Sequence, residues 1–294
     1  MSDSQPTSDG YGDLFSGAAR LGVLCAGLDV PWASVVPYVG AFSERLKDYF
    51  ELSVDPRSVS LGVMTKGEGQ AYAYRVTRFM EENGIPEPAL RRFLVRAKYF
   101  EYRNVFFKAE VDGRGLREFS TYFRRRPPIQ VAHAMLADSG VDGDSIGLME
   151  AVAEVLEKQT VHFVGTAATR SGHLLEKVYF SQSDVLASWD QIHTAATLCG
   201  LSDADWAPLA DIRPVLEGHT SFVSLSFADG VIQPGLKLDV HDVAPGVVKA
   251  LVPHEAEQER ADLPRAVFAH SDHSYVGIRL MPGEPVRVKT YALG

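Results

Sequence analysis

Five basic side chains recur inside alternating, strand-like runs of this 294-residue sequence. They are Arg75 in AYAYRVT, Arg117 in GLREFSTYF, Lys177 in LLEKVYF, Lys237 in GLKLDV and Arg287 in PVRVKTY. The last four follow one another at intervals of 60, 60 and 50 residues. Such regularity predicts an internal repeat that places the cations at equivalent depths. Converging cations without matching carboxylates need a polyanion, and a diphosphate offers many acceptor oxygens.

Aromatic and acid–base residues accompany these cations. Phe119 follows Arg117 by two residues, Tyr179 follows Lys177 by two, and Tyr291 follows Arg287 by four. A strand has a side-chain period of two, so each pair should share a face. Tyr179 and Tyr291 would then add phenolic donors.

Two further residues are candidates for a general base. By strand parity Asp239 shares a face with Lys237, where it would act as a base or as the partner of a salt bridge. His162 is the second candidate, with an ordinary strand histidine as its alternative interpretation.

The cations lie in a repeated plan of helix, hairpin and helix. Turn-forming residues separate predicted strand pairs at 58–65 and 70–79, 104–111 and 116–124, 160–167 and 174–181, 220–227 and 232–240, and 274–281 and 285–293. Helical spacing predicts helices at 31–50, 87–99, 130–136, 145–158, 184–199, 203–216 and 245–257. Hairpins separated by helices make an antiparallel sheet. Because about ten strands are many for an open sheet, the pattern predicts an α+β fold with a closed barrel surrounded by helices.

A barrel of this width has a lumen, and the lumen is where we expect the cations. Solvent-facing strand positions are the alternative. Outer helices would cover that face, however, and burying an unpaired cation under them costs several kcal/mol. Arg124, Arg125 and Arg126 at the barrel rim could steer an anion inward.

Composition limits the classes of partner. A formal net charge of −9 argues against nucleic-acid or anionic-membrane binding, since both need a positive field. Two cysteines give neither a disulfide framework nor a CxxC metal signature. We expect a cytoplasmic monomer, with a disordered tail at 1–12 and one domain at 13–294.

Together these features resemble the ABBA-type aromatic prenyltransferases. The resemblance rests on the hairpin–helix repeats, the K-x-Y-like pattern in successive second strands, and the ending SYVGIRLMPGEPVRVKTYAL. It is greatest for the small bacterial branch, whose acceptors are phenols, indoles or cyanobactin-like peptides. The family lacks the DDxxD motif of other prenyl-transferring enzymes, and so does this sequence.

The resemblance implies a function in secondary metabolism. A dimethylallyl or geranyl group would pass from its diphosphate to an electron-rich aromatic ring by Friedel–Crafts alkylation. Arg75, Arg117, Lys177, Lys237 and Arg287 match the diphosphate-holding positions, with Tyr179 and Tyr291 as further donors and carbocation shields. Some members carry an acidic residue early in the barrel that binds magnesium or orients the acceptor. The predicted first hairpin has no carboxylate, so we expect no required cofactor, with Mg²⁺ possible.

Two other functions fit the same residues. A non-catalytic barrel could hold an amphipathic anion as a carrier or sensor. A metal hydrolase could use His270, Asp272 and His273 of AHSDHSY, although this spacing is not a metal signature.

Overall fold

The computed structural model describes residues 18–42, 50–55, 58–183, 188–210, 213–216, 219–243 and 273–293. The helices are α1 (Ala18–Gly27), α2 (Trp32–Phe42), α3 (Gly69–Glu82), α4 (Glu87–Tyr99), α5 (Ile129–Asp138), α6 (Gly143–Val155), α7 (Trp189–Leu198) and α8 (Asp203–Ala210), with a 3-10 turn at Arg213–Leu216. The strands are β1 (Phe50–Asp55), β2 (Ser60–Gly67), β3 (Val105–Asp112), β4 (Gly115–Phe123), β5 (Phe163–Thr169), β6 (Leu174–Gln182), β7 (Ser221–Ala228), β8 (Val231–Ile232), β9 (Leu236–His241), β10 (His273–Leu280) and β11 (Arg287–Leu293).

Ten of these strands close into an antiparallel barrel. Their order is β6-β5-β4-β3-β2-β1-β11-β10-β9-β7, and pairing of β6 with β7 completes the ring, while the two-residue β8 extends the turn after β7. The predicted antiparallel barrel with outer helices is confirmed. Hairpins join strands at one end, here called the hairpin end. Helix pairs join them at the other, the helical end.

The first hairpin differs from the prediction. Residues 70–79 lie in helix α3, and the hairpin is formed by β1 and β2. Helix α3 buries Tyr72, Val76 and Phe79, whose spacing of four and three residues puts them on one helical face. The predicted helix at 31–50 ends as α2 at Phe42, and Phe50 already belongs to β1.

The hydrophobic core lies between the outer barrel face and the helices. Alternate strand residues such as Phe107 and Phe119 point outward and are 0% and 1% exposed. Tyr38 of α2 stacks on Phe107 at 5.1 Å between ring centroids, and Phe79 of α3 meets the same ring edge-on at 5.0 Å. Truncating an aromatic side chain in such a cluster costs about 3–5 kcal/mol.

One buried ion pair also lies on the outer face. Arg96 of α4 donates to Glu176 of β6 at 2.7 Å, and the two side chains are 5% and 4% exposed. Arg96, a cation on the outer face, is thus paired with a carboxylate, as its burial under the helices requires.

Other sequence predictions reach beyond the described residues. The predicted tail at 1–12 and helix at 245–257 lie outside them, so the division into tail and single domain stays a prediction. No helix within the described ranges is long and apolar enough to cross a membrane.

Candidate active site

The barrel encloses a cavity of about 1010 Å³ lined by the inward-facing residues of its strands. Nine basic side chains line it: Lys108, Arg117, Arg124, Arg126, Lys177, Lys237, Arg279, Arg287 and Lys289. Five acidic side chains line it: Glu51, Asp55, Glu110, Glu118 and Asp239. The lumen therefore carries an excess of basic groups in a chain whose formal net charge is −9. Such a cavity attracts anions that the molecule as a whole repels.

An aromatic belt runs around the lumen. It consists of Phe106, Tyr122, Phe163, Tyr179, Phe222, His241, Tyr275 and Tyr291, all of which line the cavity. Neighbouring rings are in contact, from the Tyr275–Tyr291 stack at 4.1 Å between centroids to the Tyr122–Tyr179 edge contact at 5.8 Å. Lysine nitrogens also approach the belt, with Lys237 Nζ 4.9 Å and Lys108 Nζ 5.0 Å from the Tyr291 ring centroid. Faces of this kind stabilise cations by about 0.5–2 kcal/mol.

Lys177 and Lys237 face the lumen, but each has a carboxylate beside it. Lys177 Nζ donates to Glu118 Oε1 at 2.8 Å. Lys237 Nζ lies 2.5 Å from Asp239 Oδ1 and donates to the Tyr291 hydroxyl at 2.8 Å. Burial alone would lower the pKa of Lys177, but the Glu118 carboxylate outweighs it and raises that pKa. The expectation of cations without matching carboxylates is therefore wrong.

Glu110 of β3 binds cations from several strands. Its Oε2 lies 2.5 Å from Lys289 Nζ and 3.9 Å from Lys108 Nζ, and its Oε1 lies 3.3 Å from Arg117 Nη1. Burial and the nearby Lys289 lower the pKa of Lys108 to about 8. Sequence reasoning missed Glu110, Lys108 and Lys289 because it considered only second strands and one cation in each. The alternation of Phe106, Lys108 and Glu110 in β3 was the available signal.

Arg117 lines the lumen through a β-bulge. The β3–β4 register shifts so that Glu110 opposes Glu118 while Val111 opposes Leu116, leaving Arg117 as the extra residue. Arg117 and Glu118 therefore both line the cavity. Phe119 is buried against Phe79 on the outer face instead, so the expectation that Arg117 and Phe119 share a face is wrong.

Arg75 and Arg287 differ from the predicted arrangement. Arg75 lies on helix α3 and does not line the cavity, so its predicted position on a barrel strand is wrong. Arg287 lines the cavity at the hairpin end, where its side chain is 55% exposed and paired with Glu284 at 2.6 Å. It lies at the rim, whereas Lys289, two residues further on, is 15% exposed.

Two imidazoles line the belt near the helical end. His162 is 4% exposed, and its ring centroid lies 4.6 Å from that of Phe222, while the His241 ring centroid lies 4.9 Å from that of Phe222. Neither Nε2 has a hydrogen-bond partner among the described residues. Burial, reinforced by Arg124 and Arg126, lowers the pKa of His162 to about 4. His162 is therefore neutral at pH 7 and presents an unused nitrogen.

A carboxylate that the sequence prediction missed lies on β1. Glu51 is 2% exposed, and its Oε2 accepts a hydrogen bond of 2.5 Å from the Tyr275 hydroxyl. Burial raises the pKa of Glu51, opposed by the charge of Lys108 and by the Tyr275 hydrogen bond. The predicted first hairpin excluded Glu51, so the expectation of no carboxylate early in the barrel is wrong.

The carboxylates of the lumen lie beside basic side chains. Within the described ranges, no three His, Cys, Asp or Glu side chains are placed to hold a metal ion. Glu110, Glu118 and Asp239 face lysines instead. Of the proposed hydrolase cluster, His270 and Asp272 lie outside the described residues. His273 begins β10.

No family model and no curated protein matches this sequence, but solved structures match its fold over nearly the whole chain. A 5-dimethylallyltryptophan synthase from Streptomyces coelicolor aligns at 16% identity and a TM-score of 0.63, covering 93% of this chain and 95% of that one. PriB in a binary complex with product diphosphate aligns at 18% and 0.64, covering 96% and 95%. NotF in complex with brevianamide F and DMSPP aligns at 11% and 0.68, covering 99% and 96%. The chain therefore has the barrel fold of the ABBA-type aromatic prenyltransferases.

Proposed function

We propose that this protein is an aromatic prenyltransferase that moves a dimethylallyl or geranyl group from its diphosphate to an electron-rich aromatic acceptor. One observation carries the proposal: a closed lumen with an excess of basic side chains is lined, in the same cavity, by a belt of aromatic rings. The first feature suits a departing diphosphate and the second suits an allylic cation. The solved structures of similar fold support it, since their names describe prenyltransferases and one contains product diphosphate.

The basic side chains stabilise the leaving group. Lys177, Lys237 and Lys289 come from three strands and are 14%, 25% and 15% exposed. Donors fixed in advance around a site of developing negative charge lower the barrier without reorganising, and one such donor is worth about 10²–10³ in rate. Arg117, Arg279 and Arg287 extend the basic lining to the hairpin end, where they contribute to donor binding.

The aromatic belt protects the cation formed when diphosphate leaves. Tyr179 and Tyr291 line the lumen, and burial holds the pKa of each hydroxyl well above its usual range. Neutral phenols do not capture the cation as phenolate would. Cleavage of the carbon–oxygen bond to diphosphate releases the allylic cation. A ring carbon or the phenol oxygen of the acceptor then attacks this cation and forms the new carbon–carbon or carbon–oxygen bond.

Glu51 orients the acceptor. Its buried carboxylate has acceptor capacity left beyond the Tyr275 hydrogen bond, and a raised pKa makes it a better acceptor for an indole N–H or a phenol O–H. Hydrogen bonding in a buried site fixes orientation as well as affinity.

The proton lost by the acceptor ring needs a base. Asp239 and His162 are the bases predicted from sequence, but Asp239 is occupied by Lys237 at 2.5 Å. Lys108 is the stronger candidate, because burial and the charge of Lys289 lower its pKa to about 8. It lines the same cavity as Glu51. His162 stays the alternative, with its free Nε2.

The reaction class is tested with dimethylallyl and geranyl diphosphates against tryptophan, tyrosine, naphthols and aromatic peptides, with and without magnesium. Mass spectrometry of the acceptor should show a gain of one isoprenoid unit. Donor binding without modification of any acceptor would favour the non-catalytic anion-binding barrel instead. The magnesium arm tests the expectation that no metal is required.

A further inference from the structure

Glu110 lies beside three cations of the lumen. It faces Lys108 from its own strand, Arg117 from β4 and Lys289 from β11. Ser60 of β2 adds a hydrogen bond of 2.8 Å to Oε1. Glu118 and Asp239, by contrast, each bind one lysine, Lys177 and Lys237 respectively. The Glu110 carboxylate therefore links four strands.

Its charge is held firmly. Burial alone would raise the pKa of Glu110, but Lys289 and Lys108 outweigh it and hold that pKa far below its usual range. In return, the Glu110 charge raises the pKa of Lys289, whose burial acts in the opposite direction. Without this carboxylate Lys289 would lose the nearest opposing charge in the donor-free lumen, which is unfavourable for a buried cation.

The same N–H groups are those that a diphosphate would require. Lys289 and Arg117 cannot give their hydrogen bonds fully to Glu110 and to phosphate oxygens together. We propose that Glu110 is an exchangeable counter-ion, which keeps Lys289 charged, holds Lys289 and Arg117 in place in the donor-free barrel, and yields both cations when diphosphate binds. It takes them back as product diphosphate leaves. This inference rests on the proposed function and makes Glu110 a positioning residue that sets diphosphate affinity and release.

If Glu110 exchanges its cations with diphosphate, substituting it should tighten pyrophosphate binding, whereas substituting an ordinary binding residue weakens it. Substituting Glu110→Gln removes the competing charge, so inorganic pyrophosphate should bind about tenfold more tightly, equivalent to about 1.4 kcal/mol. A residue that merely supports the site would give weaker binding when changed. The matched control is Glu82→Gln, the same substitution at a position 59% exposed and paired with Arg78, which should leave the affinity unchanged.

The experiment is titration calorimetry of pyrophosphate into wild type, E110Q and E82Q, paired with thermal melts. The E110Q protein should melt at a lower temperature without ligand and show a larger rise with pyrophosphate than wild type. Equal or weaker pyrophosphate binding by E110Q overturns the inference. If E110Q does not fold, E110D serves, because its shorter carboxylate keeps the charge but retracts from Lys289. At least threefold tighter binding is then expected, and unchanged or weaker affinity contradicts exchange.

Turnover gives a second readout. If Glu110 promotes release, E110Q should show a lower KM for the donor, stronger inhibition by pyrophosphate, and a burst of product in its first turnover. If the wild-type protein binds pyrophosphate and E110Q binds it no more tightly, only the role of Glu110 is overturned. Wild type that neither binds pyrophosphate nor prenylates an acceptor overturns the proposed function, and this inference with it.

Discussion

The Tyr275 hydroxyl donates a hydrogen bond of 2.5 Å to Glu51 Oε2, linking β10 to β1 inside the lumen. Strand β11 lies between them, and its Tyr291 ring stacks on Tyr275 at 4.1 Å between centroids and 6° between planes. This arrangement fixes one carboxylate oxygen and leaves the carboxylate facing the cavity. It defines where the acceptor should be held, beside the lumen lysines that contact Tyr291.

Changing Tyr275→Phe should therefore weaken the acceptor side alone. Loss of one hydrogen bond to a buried charged group is worth about 1.5–3 kcal/mol, so the KM for the acceptor should rise about tenfold or more. Pyrophosphate affinity should stay within about twofold of wild type. The same change at Tyr74, whose residue is 64% exposed on α3, is the control. A Y275F protein with unchanged acceptor KM would remove the role given to Glu51 and Tyr275.

Alanine substitutions separate lumen cations from cations elsewhere. Lys177→Ala and Lys237→Ala should each lower kcat about 10²–10³-fold, because each removes a preorganised donor. Arg75→Ala should leave kcat within about twofold, since Arg75 lies on α3 and does not line the cavity. Steady-state kinetics with circular dichroism as a folding check measures all three. If kcat fell by a similar factor in all three variants, the position of a cation in the lumen would not explain its contribution to kcat.

The pH profile identifies the base. A neutral Lys108 is needed to take the proton, and its pKa of about 8 without donor will be raised by a bound diphosphate. At saturating donor, kcat/KM for the acceptor should therefore rise close to tenfold per unit between pH 6 and 8. Lys108→Met should abolish this rise. A profile that is flat from pH 6 to 9 would instead favour His162, whose pKa is lowered to about 4.

Stability should also depend on His162 at acid pH. Its pKa is about 4 in the folded protein and 6.5 ordinarily, so between these values the unfolded chain binds a proton that the folded chain does not. Stability is then lost as pH falls through this window, by about 2 kcal/mol from pH 7 to 4.5. Urea unfolding of His162→Gln should show a shallower acid slope than wild type. His133→Gln, at a side chain 48% exposed beside Glu150, should keep the wild-type slope, and equal slopes for all three would contradict the buried neutral imidazole.

Much of the barrel follows from the sequence because its strands alternate so regularly. Lys177 and Tyr179 share the lumen face as period two predicts, and Lys237 shares it with Asp239. The turn residues between strands marked the later hairpins correctly. Because the helix–hairpin pattern recurs along the chain, the prediction of each hairpin strengthened the prediction of the others.

The failures have local physical causes. Residues 70–79 alternate like a strand, yet Tyr72, Val76 and Phe79 also have helical spacing, and packing on the barrel decides for the helix. Because the sequence prediction treated 70–79 as a strand, it placed Arg75 in the barrel and did not recognise β1, which carries Glu51. The bulge at Arg117 shifts register by one residue, and parity cannot reveal it. Pairing of Lys289 with Glu110 and of Lys177 with Glu118 depends on contacts between strands far apart in sequence, which no spacing rule supplies.

The most direct test is mass spectrometry of aromatic acceptors incubated with purified protein and dimethylallyl or geranyl diphosphate, with the K177A variant in parallel. We predict a mass gain of one isoprenoid unit with wild type and a loss of at least about 10²-fold in rate with K177A. No modification of any acceptor, or equal rates for the two proteins, would contradict a prenyl transfer centred on the lumen cations.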